Sequence, residues 1–257
     1  MPPVAFFVVY AALVGLIVGS YLNVVIHRLP SHQSTVTPRS RCPHCGAAIR
    51  ARDNLPVVSW LLLRGRCRDC GASISPRYPL VEALTALLFA GAVLRFGANV
   101  SAIVAALFCA LLVALAGIDV EHFLLPDRIT LPGIALGLAA QPFVAWGSLP
   151  SAIQGALAGA GILLLISGLW KLWKNVDGMG LGDVKMLAMV GAFLGLSGVL
   201  VTLVAATFAG AIVGIALLAR GAIGIQGRLP FGFFLSLGGL LALFAGEPLV
   251  SRYLGMF

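Results

Sequence analysis

Two short stretches place carboxylates at the ends of long apolar segments. Asp119 closes one of them in "LAGIDVEHFLLPDRITLP", with Glu121 and Asp127 close behind, and Asp183 opens another in "GMGLGDVK" (Gly178–Lys185). A charge at the centre of a membrane span costs about 2.5–3.5 kcal/mol on insertion scales and much less at an end, so both residues can stay part-wet beside a low-dielectric bundle. Two carboxyls that approach closely cannot both ionise freely and share a proton. One can then deprotonate a water while the other protonates a carbonyl, which is peptide hydrolysis by an aspartate pair. The alternating glycines ahead of Asp183, Gly180 and Gly182 among them, allow close backbone approach and unusual dihedrals, so a peptide can lie against the loop as a nearly extended strand. Spacing alone leaves two other readings open. Asp183 ahead of "VKMLAMV" would serve as a helix N-cap, and membrane carboxylates also mark ion or proton paths.

A second centre lies in "RCPHCGAAIRARDNLPVVSWLLLRGRCRDCGASISPRYPLVE", which carries Cys42, Cys45, Cys67 and Cys70 as C-x2-C, 21 residues, C-x2-C. Thiolates two residues apart on a tight turn bind one ion from the same side, and the glycine after each pair (Gly46, Gly71) permits that turn. Two such knuckles predict a closed tetrahedral zinc site, structural because no ligand position is left open. Disulfides are the alternative, disfavoured because the surrounding arginines place the loop in the reducing cytosol. A loop of about fifty residues is too small to hold itself by a core alone, and a metal is the usual remedy. Cys109 reads as a small buried apolar residue. His44 is expected at the surface, and His27 and His32 at the membrane edge.

These centres need elements to position them, and the composition says which. Of 257 residues, 60% are hydrophobic and only 10% charged, whereas a soluble domain is about a quarter charged. The pattern predicts an all-α polytopic membrane protein of about eight transmembrane helices with a small zinc-binding cytosolic loop. The expected spans are 4–26, 79–94, 100–118, 129–146, 151–173, 184–196, 198–219 and 229–246, the second and sixth being short. The N-terminal stretch lacks a basic leading region and outruns a signal's apolar core, so the first span is expected to be retained. The domains then run 1–27 (first span), 28–78 (the four-cysteine zinc loop) and 79–257 (a peptidase core of about seven helices). No repeat of fixed period is visible.

Nine arginines between Arg28 and Arg77 face only Asp53 and Asp69. Beside so many apolar spans, that cluster reads as the positive-inside rule rather than as a nucleic-acid patch, so no nucleic-acid partner is expected. With 28–78 cytosolic, the N-terminus lies outside, and parity puts 119–128, 171–183 and 220–228 inside as well. Both aspartates thereby share the cytosolic face.

Several of these stretches together resemble the type IV prepilin peptidases, the bifunctional leader peptidase/N-methyltransferases. "GMGLGDVK" is similar to the family's glycine-x-glycine-aspartate signature through Gly180, Gly182 and Asp183. "DVEHFLLPDRITLP" resembles its other aspartate motif, through Asp119 with Leu125-Pro126-Asp127 following. "GSYLNVVIHRLP" resembles the first-span signature, with Tyr21 where phenylalanine is usual, and Arg41 to Glu82 resembles the zinc-containing cytosolic loop. "LPFGFFLSLG" resembles a final-span motif, with Phe233 in place of an expected proline. The resemblance implies that Asp119 and Asp183 cut the short basic leader from a prepilin or pseudopilin at the cytosolic face of the bacterial inner membrane. It also implies methylation of the new N-terminus from S-adenosylmethionine. No glycine-rich nucleotide loop is present, so the cofactor enters only through the resemblance.

Four further residues are candidates beside these. Lys185 either tunes Asp183 or faces lipid headgroups, and Asp127 caps or orients the fourth span, standing also as the replacement for Asp119 in the pair. Asn23, polar within an apolar helix, bonds across helices or contacts substrate. Glu82 is expected to pair with a loop arginine, or else to lie near the methylation site. The rival functions are a membrane-anchored zinc module that recruits an assembly partner, a carboxylate-based transporter, and a presenilin-like protease. The last is disfavoured because Ile118, not tyrosine, precedes Asp119.

Overall fold

Long apolar stretches without internal charge can satisfy their backbone in lipid only as helices. The computed structural model describes residues 3–174, 180–221 and 229–254, and helix dominates them. In chain order the helices are α1 (Val4–Arg28), the short α2 (Val58–Leu62), α3 (Arg77–Phe96), α4 (Val100–His122), α5 (Asp127–Ala140), α6 (Leu149–Lys174), α7 (Leu181–Ala219) and α8 (Phe231–Leu254). Six of them are long and apolar enough to cross a membrane: α1, α3, α4, α6, α7 and α8. The chain divides into two compact units, residues 1–114 and 115–257.

In the first unit α1 packs on α3 through glycines one turn apart. A side chain at Gly15 would stand 2.7 Å from the Ala86 Cα, and one at Gly19 would stand 2.7 Å from the Glu82 Cα. Such glycines let two backbones approach closely, which is how apolar helices associate in lipid. The turn from α3 to α4 is sharply made. Gly97 leaves the helix at φ +80°, and the Asn99 Oδ1 accepts the Ala102 N–H at 3.2 Å as an N-cap.

The cysteine segment joins α1 to α3. It folds as two copies of one knuckle offset by 25 residues: antiparallel bridges pair Arg41 with Ala48 and Arg66 with Ser73. Gly46 and Gly71 turn at φ +71° and +72°, where a side chain would be strained. The copies are also legible as text, "RCPHCGAAI" against "RCRDCGASI", a two-fold repeat that a search for regular periods does not detect.

In the second unit α7 reverses on itself at Gly195 (φ 70°, ψ −170°). Side chains at Gly182 and Gly232 would both touch Leu125, and one at Gly214 would touch Leu229. The start of α7 and its far limb therefore lie at one level. A straight helix from 182 to 214 would separate them by about 48 Å, at 1.5 Å per residue. Residues 181–194 and 196–219 are thus two helices, and with them and α5 the expected eight are all present. The carbonyls left open at the reversal are met by side chains. The Gln141 Nε2 donates to Ala192 O at 2.8 Å and Phe193 O at 3.3 Å, and the Trp146 Nε1 donates to Phe193 O at 3.1 Å. Gly155 and Gly159 of α6 seat against Gly191, Gly195 and Leu187 of α7, backbone to backbone.

Candidate active site

Asp119 sits one turn before the end of α4 and is 5% exposed. Its Oδ2 accepts the Phe233 N–H at 3.0 Å, and the Gly232 N–H also reaches the carboxylate. Both donors belong to the first turn of α8, whose opening N–H groups have no partner within the helix. Asp183 stands in the first turn of α7, where the N-cap is Gly180 rather than the aspartate. Its own N–H bonds to Gly180 O at 3.2 Å, and its carboxyl lies near enough to Asp119 to feel that group's charge. Leu125 packs against both helix starts: a Cβ at Gly182 or at Gly232 would stand 2.9 Å from its side chain.

This arrangement corrects several expectations. Asp183 is not a helix cap, so capping does not account for its carboxylate. Gly180 (φ −72°, ψ 141°) is ordinary extended backbone and Gly182 is helical, so neither uses an unusual dihedral. Gly182 is needed instead for its contact with Leu125. Asp127 does not cap α5, whose N-cap is Pro126. It binds Lys185 through both oxygens at 2.7 and 2.8 Å, which pins the start of α5 to the start of α7. Lys185 is thereby engaged away from Asp183. Gly178 and residues 222–228 lie outside the described residues.

The four cysteine sulfurs lie within 4.8 Å of one another, and those of Cys42 and Cys70 are 3.8 Å apart. Tetrahedral zinc with Zn–S bonds of about 2.3 Å requires S···S distances of about 3.8 Å, so the donor set fits the ion. The N–H groups of Cys45 and His44, aimed at the Cys42 sulfur, draw its thiol down to about 6. At Cys70 the Ala72 N–H pulls downward as well, yet burial and the three neighbouring sulfurs push that thiol up to about 12. Sulfurs crowded in this way are a set that a dication would stabilise. Arg68 clamps Asp53 through bonds of 2.7–3.0 Å, which holds that carboxyl below the usual carboxylate range and ties the linker to the second knuckle.

The profile described as Type IV leader peptidase family matches residues 106–215, and the Bacterial Peptidase A24 N-terminal domain matches 13–96. A prepilin leader peptidase/N-methyltransferase of Burkholderia pseudomallei (strain 1026b) is 40% identical over 264 residues, covering 93% of this chain and 85% of the relative. Those of Pseudomonas putida (40% over 269 residues) and Pseudomonas aeruginosa (39% over 271 residues) each cover 96% of this chain and 93% of the relative. The chain belongs to the type IV leader peptidase family. No solved structure is significantly similar.

Within this family member the expected proline at 233 is a phenylalanine, and α8 runs unbroken through it from Phe231. The substitution supplies the N–H that Asp119 accepts, a donor proline lacks. Sequence reasoning missed that donor, because a backbone N–H leaves no mark in residue type, and it gave Leu125 a place in the motif but no packing role. Asn23 and Glu82 belong to the first unit and line one cavity there. Glu82 does not pair with a loop arginine: its Oε2 accepts the Val57 N–H at 2.7 Å.

Proposed function

We propose that this protein is a membrane aspartic endopeptidase that removes the short basic leader of a prepilin or pseudopilin, and that it methylates the new N-terminus. The observation that carries the peptidase reading is the convergence of Asp119 and Asp183 at one end of the second unit, with neither serving as a cap. One carboxyl takes a proton from water while the other delivers one to the scissile carbonyl, and their roles reverse as the amine leaves. The Phe233 N–H fixes the orientation of Asp119 during this exchange. Gly180, extended backbone beside the Asp183 carboxyl, leaves room there for an extended substrate backbone, while Gly182 lets Leu125 pack close. Lys185 and Asp127 act as positioning residues through their ion pair.

Cys42, Cys45, Cys67 and Cys70 would hold a zinc ion whose chemistry is to cross-link the two knuckles. S-adenosylmethionine supplies an electrophilic methyl group to the second reaction. The bilayer is that of the bacterial inner membrane, with residues 28–78 and both aspartates on the cytosolic side, as the arginine cluster supports.

Intact-mass spectrometry of a prepilin incubated with the purified protein and S-adenosylmethionine tests the reading. The expected product has lost its leader and gained one methyl group. Asp119→Asn and Asp183→Asn should each slow cleavage at least about 100-fold while unfolding at the native temperature. Native-rate cleavage by either variant would remove that residue from the pair.

A further inference from the structure

Between the two knuckles, α2 turns an apolar face away from the rest of the first unit. Val58, Leu61 and Leu62, three and four residues apart and so on one side of the helix, are 49%, 61% and 76% exposed. Leu55, just ahead of them, is 53% exposed. The other side of the helix is held inward. Ser59 is buried, and its hydroxyl accepts the Leu55 N–H at 2.9 Å and donates to Arg52 O at 3.1 Å. The Trp60 Nε1 donates to Ile74 O at 3.0 Å. Large apolar side chains clustered on an exposed face mark a surface that something covers.

Depth along α3 decides what covers it. The Val57 N–H, at the entry to α2, donates to the Glu82 Oε2 at 2.7 Å. Glu82 lies five residues, about 7.5 Å, inside α3, and its side chain tilts back toward the helix start. Trp60 is tied to Ile74, three residues ahead of α3. The two bonds bracket α2 around the opening turns of a membrane-crossing helix. The headgroup layer at each bilayer face is about 5–7 Å deep, so α2 stands at headgroup depth rather than out in the aqueous phase. Tyr78 and Leu80 of α3, at the same depth, are themselves exposed, as befits an interfacial aromatic and a lipid-facing residue.

Charge agrees with depth. Arg64 and Arg66 follow Leu62 at once and are both exposed, and no carboxylate among the described residues pairs with either. A guanidinium grips phosphate oxygens through parallel N–H bonds. Apolar side chains flanked by such cations match the boundary between acyl chains and lipid phosphates.

We propose that α2 is a membrane wedge: Val58, Leu61 and Leu62 enter the acyl–headgroup boundary beside α3, and Arg64 and Arg66 bind phospholipid phosphates. The wedge gives the cysteine knuckles a third attachment to the bilayer besides α1 and α3, and so sets their height above it.

Photochemical cross-linking of the full-length protein tests this. p-Benzoylphenylalanine is installed in place of Leu62, and the protein is reconstituted into phosphatidylcholine vesicles and irradiated. Mass spectrometry should find a phospholipid adduct on the peptide holding residue 62. The same probe in place of the exposed Arg52, which lies against the Ser59 side of α2, should give at least about tenfold less. A probe at Leu61 should behave as at Leu62, and it gives the answer if the first variant does not fold. Adding Arg64→Gln and Arg66→Gln should cut the adduct yield at 62 at least about threefold, and an unchanged yield overturns the phosphate contacts. A cross-link from 62 to a protein chain, equal lipid labelling at 52 and 62, or no adduct at 61 or 62 overturns the wedge.

Discussion

Asp119 owes its setting to backbone as much as to side chains. The N–H groups that reach it come from Phe233 and Gly232, and glycine at 232 leaves room for the carboxylate to lie against the start of α8. A Cβ at Gly232 would stand 3.0 Å from the Asp119 Oδ2 and 2.9 Å from two Leu125 carbons. Leu125 can rotate away, but the carboxylate must shift or lose its donors. Gly232→Ala is therefore expected to lower kcat for leader cleavage about 10- to 100-fold, since a displacement of even 1 Å can cost about 100-fold, with little change in unfolding temperature. Kinetics with a prepilin would measure it, and a native kcat would show that the contact is slack. The two aspartates were legible in the sequence because a carboxylate at the edge of an apolar run is rare and costly. The partners of Asp119, Glu82 and Lys185 were not. Two of them are bound by N–H groups that every non-proline residue carries, and the Lys185–Asp127 pair joins positions 58 residues apart.

The helices meet glycine to glycine. Gly155 of α6 opposes Gly191 and Gly195 of α7 while Gly159 opposes the Leu187 backbone, and a Cβ at Gly155 would lie 2.6 Å from Gly191 O and 2.7 Å from the Gly195 Cα. These neighbours are backbone and cannot turn aside. Gly155→Leu should destabilise by about 1–3 kcal/mol, read as a lower unfolding temperature in detergent, whereas the same change at Gly161, where a Cβ meets nothing within 4 Å, should be near neutral. Equal shifts at both positions would refute a specific seam. Hydropathy made these helices legible almost to their ends, and placed the break in α7 between 196 and 198 where the structure puts it at Gly195. It did not reveal what stabilises the reversal, because Gln141 and Trp146 act on carbonyls some fifty residues away. The knuckles make a different demand on the sequence, fixed by ligand geometry rather than by lipid. Metal analysis of the purified protein is expected to find one zinc per chain. A double Cys42→Ser, Cys67→Ser variant should lose that zinc and expose 28–78 to protease, and zinc retained by the variant would place the ion elsewhere.

Across the membrane the second unit sorts its ends by charge. The end of α4, the starts of α5, α7 and α8, and the return of α7 converge around Leu125 and Leu229. That end carries Arg128, Lys185 and Arg220, and α6 delivers Lys171 and Lys174 to the same level. The opposite end, where Gly195 meets Ser151, has no lysine or arginine from 141 to 151 or from 190 to 200. Basic residues near span ends stay on the cytosolic side, which supports the proposal that the aspartate end faces inward and the reversal at Gly195 outward. On that proposal, counting back through α4 and α3 gives the arginine-rich 28–78 segment the same side, and the reversal at Gly195 lets the start of α8 share it, since a single unbroken α7 would shift the parity of α8. Ser148 and Gln33 are both exposed. A membrane-impermeant maleimide added to intact spheroplasts should therefore label Ser148→Cys above the native background and leave Gln33→Cys unlabelled until the membrane is opened. Labelling of both from outside would break the parity, and with it the placement of leader cleavage on the cytosolic face.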